Sequence, residues 1–403
     1  MNLALLPVLL ITTLSTIFSS GISSRATSLP VSQTDSIEVL LFDDLNVQEL
    51  KIRAKDGILT LIANNKDFQI DSTAWVTIQK TRNGYRFKQN GNVVYAHELS
   101  VVAHGNSLTN LISEATGYRY YRGTLLFQNL TNEALTPVNK ISLEDYVASV
   151  TGSEMNFDHL EALKTQSVIA RTYALWNMAS PVHPRYHLTD HTMSQVYLGE
   201  LIQKPIYRTA AEATSGTFIT WSNKLILATY SSTCGGATSS NQWVWSGKAL
   251  PYLQTVDDND ACSASHHFNW NYTLSTAEFN YFLKRNFKSS VQQFDINKSV
   301  NGRVVELKTG NKIISANKFR LAFIKQYGPR SLKSTLFTVE KSKESVIFIG
   351  HGMGHGVGLC QWGALGLAKS GWTHDTILRF YYQGITLSNL STWAEQEIPL
   401  ARN

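Results

Sequence analysis

Between Gly350 and Gly358 every second residue is glycine, in the run Gly350-His351-Gly352-Met353-Gly354-His355-Gly356-Val357-Gly358. That alternation suits neither regular element, because glycine weakens a helix interior and gives a strand nothing to pack. The segment is expected to adopt backbone conformations that side chains resist, or to lie close against a ligand. It continues through Leu359-Cys360-Gln361-Trp362-Gly363 into a helix expected over Ala364 to Lys369, and then the Thr376-to-Tyr382 stretch. A nucleotide is not an expected ligand. No Lys-Ser/Thr follows the glycines, and no ribose-binding acid stands out about twenty residues on.

A chain of 403 residues has room for two or three domains, or for one elaborated domain. With 43% hydrophobic and 16% charged residues it reads as globular, which excludes a disordered or solvating protein. The formal charge of +6 favours an anionic partner. The cations form no basic run, so nucleic acid is not expected. An apolar stretch from Leu3 to Phe18, followed by the small residues Ser19 to Ser24, reads as a signal peptide over residues 1–24. It is shorter than the ~20 apolar residues of a usual membrane-spanning helix. Export to the periplasm or cell-wall space follows, with membrane anchoring if the peptide is not cleaved.

Residues 35–136 read as a β-rich module. Strand-like runs at Ile37–Leu41, Ile58–Ile62, Trp75–Ile78, Val93–Tyr95 and Tyr118–Phe127 are divided by Asn83-Gly84, Asn90-Gly91 and Thr116-Gly117. No chemistry concentrates there, so packing or wall docking is the expected role. The text changes near Ser142. Asp158-His159-Leu160-Glu161 resembles a capping box, and from Leu160 no Gly or Pro occurs until Pro181, so a helix of about twenty residues is expected. Lys164, Val168, Arg171 and Leu175 share one stripe of it, turning two cations outward or into a cleft. Further on, a helix is expected at Thr276–Phe287 and strands at Val304–Leu307 and Ile313–Ser315.

Of the three cysteines, Cys234 and Cys262 lie in polar loops and are the expected disulfide pair in an oxidising compartment. Cys360, inside the glycine sequence, reads as a buried small hydrophobe. Cys234 as a nucleophile lacks any marked base. His351 and His355, and likewise His183, His187 and His191, recur at four-residue spacing, but Gly or Pro interrupts each set. Loop or substrate-binding histidines are expected rather than metal ligands, so no metal or other cofactor is assigned. Glu154, in Val150-Thr151-Gly152-Ser153-Glu154-Met155, stands alone before the cationic helix. Its position leaves two roles open: a solvated carboxylate complementing the helix dipole, or a desolvated general acid.

Several stretches together carry a resemblance. They are Ser142-Leu143-Glu144-Asp145-Tyr146-Val147 into Ser153-Glu154-Met155; Glu161 to Ala174; Asp190 to Gly199, ending Ser194-Gln195-Val196-Tyr197-Leu198-Gly199; Ser231-Ser232-Thr233-Cys234-Gly235-Gly236; Pro251-Tyr252-Leu253; and Gly350 to Gly384. Over roughly Lys140 to Leu387 the chain resembles the SpoIID/LytB family, the stage II sporulation protein D domain. That resemblance implies an exported lytic transglycosylase acting on peptidoglycan glycan strands, preferably strands stripped of stem peptides. The family's catalytic acid/base falls on Glu154. It would protonate the glycosidic oxygen between N-acetylmuramic acid and N-acetylglucosamine, then accept the proton of the muramyl C6 hydroxyl as that oxygen closes on C1. An internal nucleophile lets one carboxylate suffice where ordinary glycosidases use two.

On the same reading Lys164 and Arg171 meet the lactyl carboxylates of stripped strands. Gln166, Tyr173, Gln195, Tyr197, His351, His355, Gln361 and Tyr381 line a sugar groove with hydrogen bonds and stacking faces. Zinc-binding members of the family carry Cys and a His-Cys pair just before the Gln-Val-Tyr element. Here that stretch reads Thr189-Asp190-His191-Thr192-Met193-Ser194-Gln195, without thiolates. The expected architecture is α+β: a mixed catalytic domain with a substrate cleft over residues 137–390, preceded by the smaller β-rich module. The alternative function is a non-catalytic, wall-binding activator of an N-acetylmuramoyl-L-alanine amidase, since some members are described as amidase enhancers. The expected partners are glycan strands and, under the second reading, a cell-wall amidase.

Overall fold

The computed structural model describes residues 28–401 apart from 90, 131–133, 182, 193, 202–203, 246 and 394. The signal peptide expected over residues 1–24 lies outside them. The fold is α+β, and its contacts gather into two compact units, residues 28–227 with 386–401, and residues 228–385.

The first unit contains a six-stranded and a seven-stranded sheet. In the seven-stranded sheet Ser36–Leu40 lies between Val138–Ser142, to which it is antiparallel, and the short Leu188–Thr189, to which it is parallel. Alternation is visible in the strands: Glu49–Ala54 buries Leu50, Ile52 and Ala54 and turns Glu49 and Lys51 outward. Strands expected at Ile37–Leu41, Ile58–Ile62, Trp75–Ile78 and Val93–Tyr95 form within a residue or so, except that Val76–Thr81 runs further. Tyr118–Phe127 does not form one strand. It breaks into Gly117–Tyr121 and Thr124–Phe127, which belong to different sheets. Gly123 turns the chain there at φ +72°, and a Cβ on it would stand 2.2 Å from the Lys140 carbonyl oxygen. One hydrophobic core runs through the whole unit. It joins Ile37, Leu61 and Phe127 of the strands to Tyr146, Ala170, Leu175 and Phe218, so residues on either side of 136 fold around shared apolar surface.

Among the described residues three α-helices complete this unit: α1 (Leu143–Glu154), α2 (Leu160–Ala179) and α3 (Ile206–Ala213). Ser142 caps α1 by accepting the Asp145 N–H, and Glu144 and Asp145 sit in its positive first turn. The uninterrupted helix expected from Leu160 is α2. Its capping box does not form: His159 occupies the cap without a side-chain bond, and Asp158 instead pairs with Lys204 at 3.2 Å.

In the second unit Asn269–Ser275, Ser345–His351 and Phe337–Lys341 form one antiparallel sheet, and Phe294–Val300, Arg303–Thr309 and Lys312–Ser315 another. Their core is aromatic, with Phe279, Phe282, Phe319, Phe323 and Phe348 in mutual edge and stacked contact. The helix expected at Thr276–Phe287 has those bounds, closed by a Ser275/Glu278 capping box. The helix after the glycine run starts earlier than expected, at Gln361, and reaches Lys369, while the Thr376 region is helical over His374–Tyr381.

Candidate functional site

Glu154 does not precede a helix as a free loop residue. It is the last residue of α1, half-buried, and its Oε1 accepts the Val196 N–H at 2.6 Å. The same strap is laced to α1 at three more points. Tyr146 Oη donates to Gln195 Oε1 at 3.1 Å, the Leu198 N–H donates to Ser153 Oγ at 3.3 Å, and Ser149 Oγ donates to the Gly199 carbonyl at 2.5 Å. Small residues make this possible. A Cβ on Gly152 would lie 2.3 Å from the Tyr207 ring, so only glycine lets α3 pack against this turn. The phenols of Tyr146 and Tyr173 are raised by burial, Tyr173 to about 12, and the Glu154 charge adds to both shifts. The two sequence motifs ending in Glu154 and Gly199 thus form one rigid constellation, with a carboxylate held by a backbone donor beside neutral phenols.

The other expected groove residues have different surroundings. Arg171 is fully buried and forks onto Glu144 at 2.7 and 2.5 Å, while also donating to the Thr217 and Ala211 carbonyls. It is a buried tie between helices, so it does not face a strand of sugars. Helical periodicity placed it on the Lys164 stripe, but the stripe's two ends differ: Lys164 remains partly exposed, paired with Glu161 at 2.7 Å. Gln166, Tyr173, Gln195 and Tyr197 are buried, Tyr197 donating to Asn139 at 2.5 Å. They support the site from inside rather than lining an open groove.

In the second unit, Gly352, Gly354, Gly356 and Gly358 all have positive φ, as the alternation implies. Gly358 is the tightest: a Cβ there would lie 2.0 Å from the Thr229 carbonyl oxygen. His351 is exposed and lines a cleft of about 580 Å³ together with Gly235, Asp257, Asn259, Asp260 and Arg303. His355 is buried, accepts the Val357 N–H at 3.0 Å on Nδ1, and is pushed down to about 3 by burial and by Arg303 and Arg320. It is a neutral structural imidazole. Gln361 and Tyr381 are also buried, and Tyr381 Oη donates to Asp258 at 3.3 Å.

The expected cysteine pair does come together, as free thiols with Sγ atoms 3.6 Å apart. Cys360 joins them instead of acting as a plain hydrophobe, its sulfur accepting the Cys234 N–H at 3.1 Å. Cys234 Sγ donates to Asp258 at 3.0 Å. Contact with the two other thiols, and burial, hold the Cys234 thiol well above its usual range, the reverse of an activated nucleophile.

Residues 131–221 match the family model described as Stage II sporulation protein, and residues 260–358 match a model for a domain of unknown function. An uncharacterized protein of Brachyspira hyodysenteriae is 34% identical over 276 residues, 67% of this chain and 73% of that protein. Stage II sporulation protein D of Bacillus subtilis is 31% identical over 269 residues, 62% of this chain and 76% of that protein. The chain belongs to the SpoIID family. It is also 28% identical to the amidase enhancer of Bacillus subtilis over 57% of its own length, spanning 38% of that longer protein. Membership makes this a cell-wall-related protein, and Glu154 lies within the matched SpoIID segment.

The zinc position of some SpoIID proteins does not fit this chain. Asp190 accepts the Phe42 N–H and pairs with Arg119, and His191 pairs with Asp43 at 3.0 Å. His187 Nδ1 accepts the Glu38 N–H, and His183 Nδ1 accepts that of Arg185. These histidines serve separate local bonds, and among the described residues none joins a group able to hold an ion, although Asp190 of the same stretch lies within 4.8 Å of the exposed Asp43 and Asp44. Sequence reading missed Glu144, Val196 and Asp258. The first two act through partners far along the chain, and Asp258 was visible only as one of several acids beside Cys262.

Proposed function

We propose that this SpoIID protein is an exported lytic transglycosylase that cleaves the bond between N-acetylmuramic acid and N-acetylglucosamine in peptidoglycan strands, with Glu154 as acid and then base. The observation that carries this reading is the placing of the Glu154 carboxylate, fixed by the Val196 N–H at the end of α1. Acid/base catalysis needs both protonation forms within reach. One Glu154 oxygen takes the Val196 N–H where α1 ends. In the proposed step the acid protonates the glycosidic oxygen as the bond from C1 to that oxygen breaks. The muramyl C6 oxygen then bonds to C1, and its proton returns to Glu154. The products are a 1,6-anhydro-muramyl end and a free N-acetylglucosamine hydroxyl, with no water consumed. Lys164, the cation of α2 that keeps some exposure, is proposed to meet lactyl carboxylates.

The relationship to an amidase enhancer supports a second reading, activation of a wall amidase without cleavage. Incubating the purified protein with intact and with amidase-stripped strands, and identifying new chain ends by mass spectrometry, separates the two. Anhydro-muramyl ends from stripped strands support the transglycosylase. Strands left uncut by the protein alone, but stem peptides released faster by an added amidase, support the activator and refute cleavage.

A further inference from the structure

We infer that Cys234, Cys262, Cys360 and Asp258 form a structural zinc site within residues 228–385. This inference does not depend on the proposed cleavage. The three sulfurs and one carboxylate oxygen lie within 4.8 Å of one another, and all four residues are buried. They come from three places in the chain: the Thr233-to-Gly236 loop, the loop from Asp257 to Cys262, and the entry to the Gln361–Lys369 helix.

The dimensions match the ion. Zinc–sulfur bonds of about 2.3 Å in a tetrahedron place sulfurs roughly 3.8 Å apart, and the Cys234 and Cys262 sulfurs are 3.6 Å apart. A disulfide requires about 2.05 Å and would leave the third thiol stranded beside it. Three thiolates with one carboxylate are a soft, closed donor set, which selects zinc over magnesium or calcium.

The surroundings of the cluster are those of metal-bound thiolates. The Cys360 sulfur accepts two backbone N–H groups, from Cys234 at 3.1 Å and Gly363 at 3.3 Å, at the N-terminus of a nine-residue helix. Asp258 Oδ1, with the residue 1% exposed, has no hydrogen-bond partner, while Oδ2 is oriented by Tyr381. Arg303 supplies balancing charge: it is buried, donates to the Cys234 carbonyl at 3.1 Å, and forms no ion pair among the described residues. A zinc ion with three thiolates and a carboxylate carries a net charge of about −2, which this guanidinium offsets in part. Gly363 keeps the space open, since a Cβ on it would lie 2.0 Å from Tyr381 Oη and 2.7 Å from Asp258 Oδ2. The ion would pin the loops that carry Gly235, Asp257 and Asp260 of the 580 Å³ cleft.

The test is metal analysis of the full chain produced with zinc in the medium and purified without chelator. One zinc per chain is expected, released by a mercurial that blocks thiols. Replacement by cobalt should give the tetrahedral visible bands and intense sulfur-to-cobalt absorption of a three-thiolate site. Cys262→Ser and Asp258→Asn should each weaken zinc retention tenfold or more against a competing chelator. If these variants fail to fold, the cobalt spectrum of the unaltered chain still decides. A protein without zinc whose peptide map shows a Cys234–Cys262 disulfide overturns the inference. So does one with three reduced thiols that develops no cobalt–sulfur absorption.

Discussion

Replacing Arg171 with Met separates a structural role from a substrate role for this cation. In the structure the guanidinium makes four hydrogen bonds: two charge-assisted ones to Glu144, and two to the carbonyls of Thr217 and Ala211. It ties α1 and α2 to the chain around α3. Methionine fills a similar volume but donates nothing, so Glu144 loses its counter-charge and two carbonyls lose a partner. Removing one member of a buried ion pair costs about 3–5 kcal/mol. Glu144 keeps 37% of its side-chain surface, so water recovers part of its loss and the lower figure, about 3 kcal/mol, applies. At the 2–4 °C per kcal/mol usual for a unit of this size, the Tm should fall by roughly 6–12 °C. Urea unfolding followed by circular dichroism, with Glu144→Leu and the double variant, completes a cycle in which the two losses are far from additive. A variant within about 0.5 kcal/mol of wild type, with weakened strand binding, would refute this reasoning and restore Arg171 to the sugar groove.

Gly358→Ala should destabilise the protein by more than about 2 kcal/mol in chemical denaturation, because the methyl group meets the Thr229 oxygen at a positive φ. Gly371→Ala, also at positive φ but with open space around it, should cost only about 1 kcal/mol and controls for backbone strain alone. His355 has a folded pKa pushed down to about 3 from 6.5, so on acidification the unfolded chain takes up this proton first. Its contribution is therefore complete above about pH 6.5 and is lost as pH falls, the loss amounting to about 2 kcal/mol at pH 5. Urea midpoints measured from pH 7 to 5 should drop more steeply for wild type than for His355→Gln, and parallel profiles would contradict the assignment.

Local pattern carried much of the fold. Twenty residues without Gly or Pro could only be α2, and four of the five alternating glycines, Gly352 to Gly358, lie at positive φ as expected, whereas Gly350 lies in the strand Ser345–His351 in ordinary extended backbone. What failed depended on distant partners. The break at Gly123 is set by the Lys140 carbonyl, and the burial of Arg171 by Glu144, twenty-seven positions away. Periodicity can place a cation on a stripe but cannot say what covers that stripe. The candidate acid was legible only through its motif, since its Val196 donor lies forty-two positions further on. Cys360 misled for a related reason: it lies 126 positions from Cys234, and an apolar local sequence says nothing about which sulfurs converge in space.

The central claim is that Glu154 is the acid and base of strand cleavage, and its most direct test compares wild type with Glu154→Gln on amidase-stripped glycan strands. The glutamine keeps an acceptor for the Val196 N–H, so the variant should fold with an unchanged Tm and still bind strands. Wild type should release fragments ending in 1,6-anhydro-muramic acid, and the variant should release them at least about 10²-fold more slowly. Equal rates from both proteins would remove Glu154 from the chemistry. Reducing muramyl ends in place of anhydro ends would show that water, not the C6 hydroxyl, attacks C1.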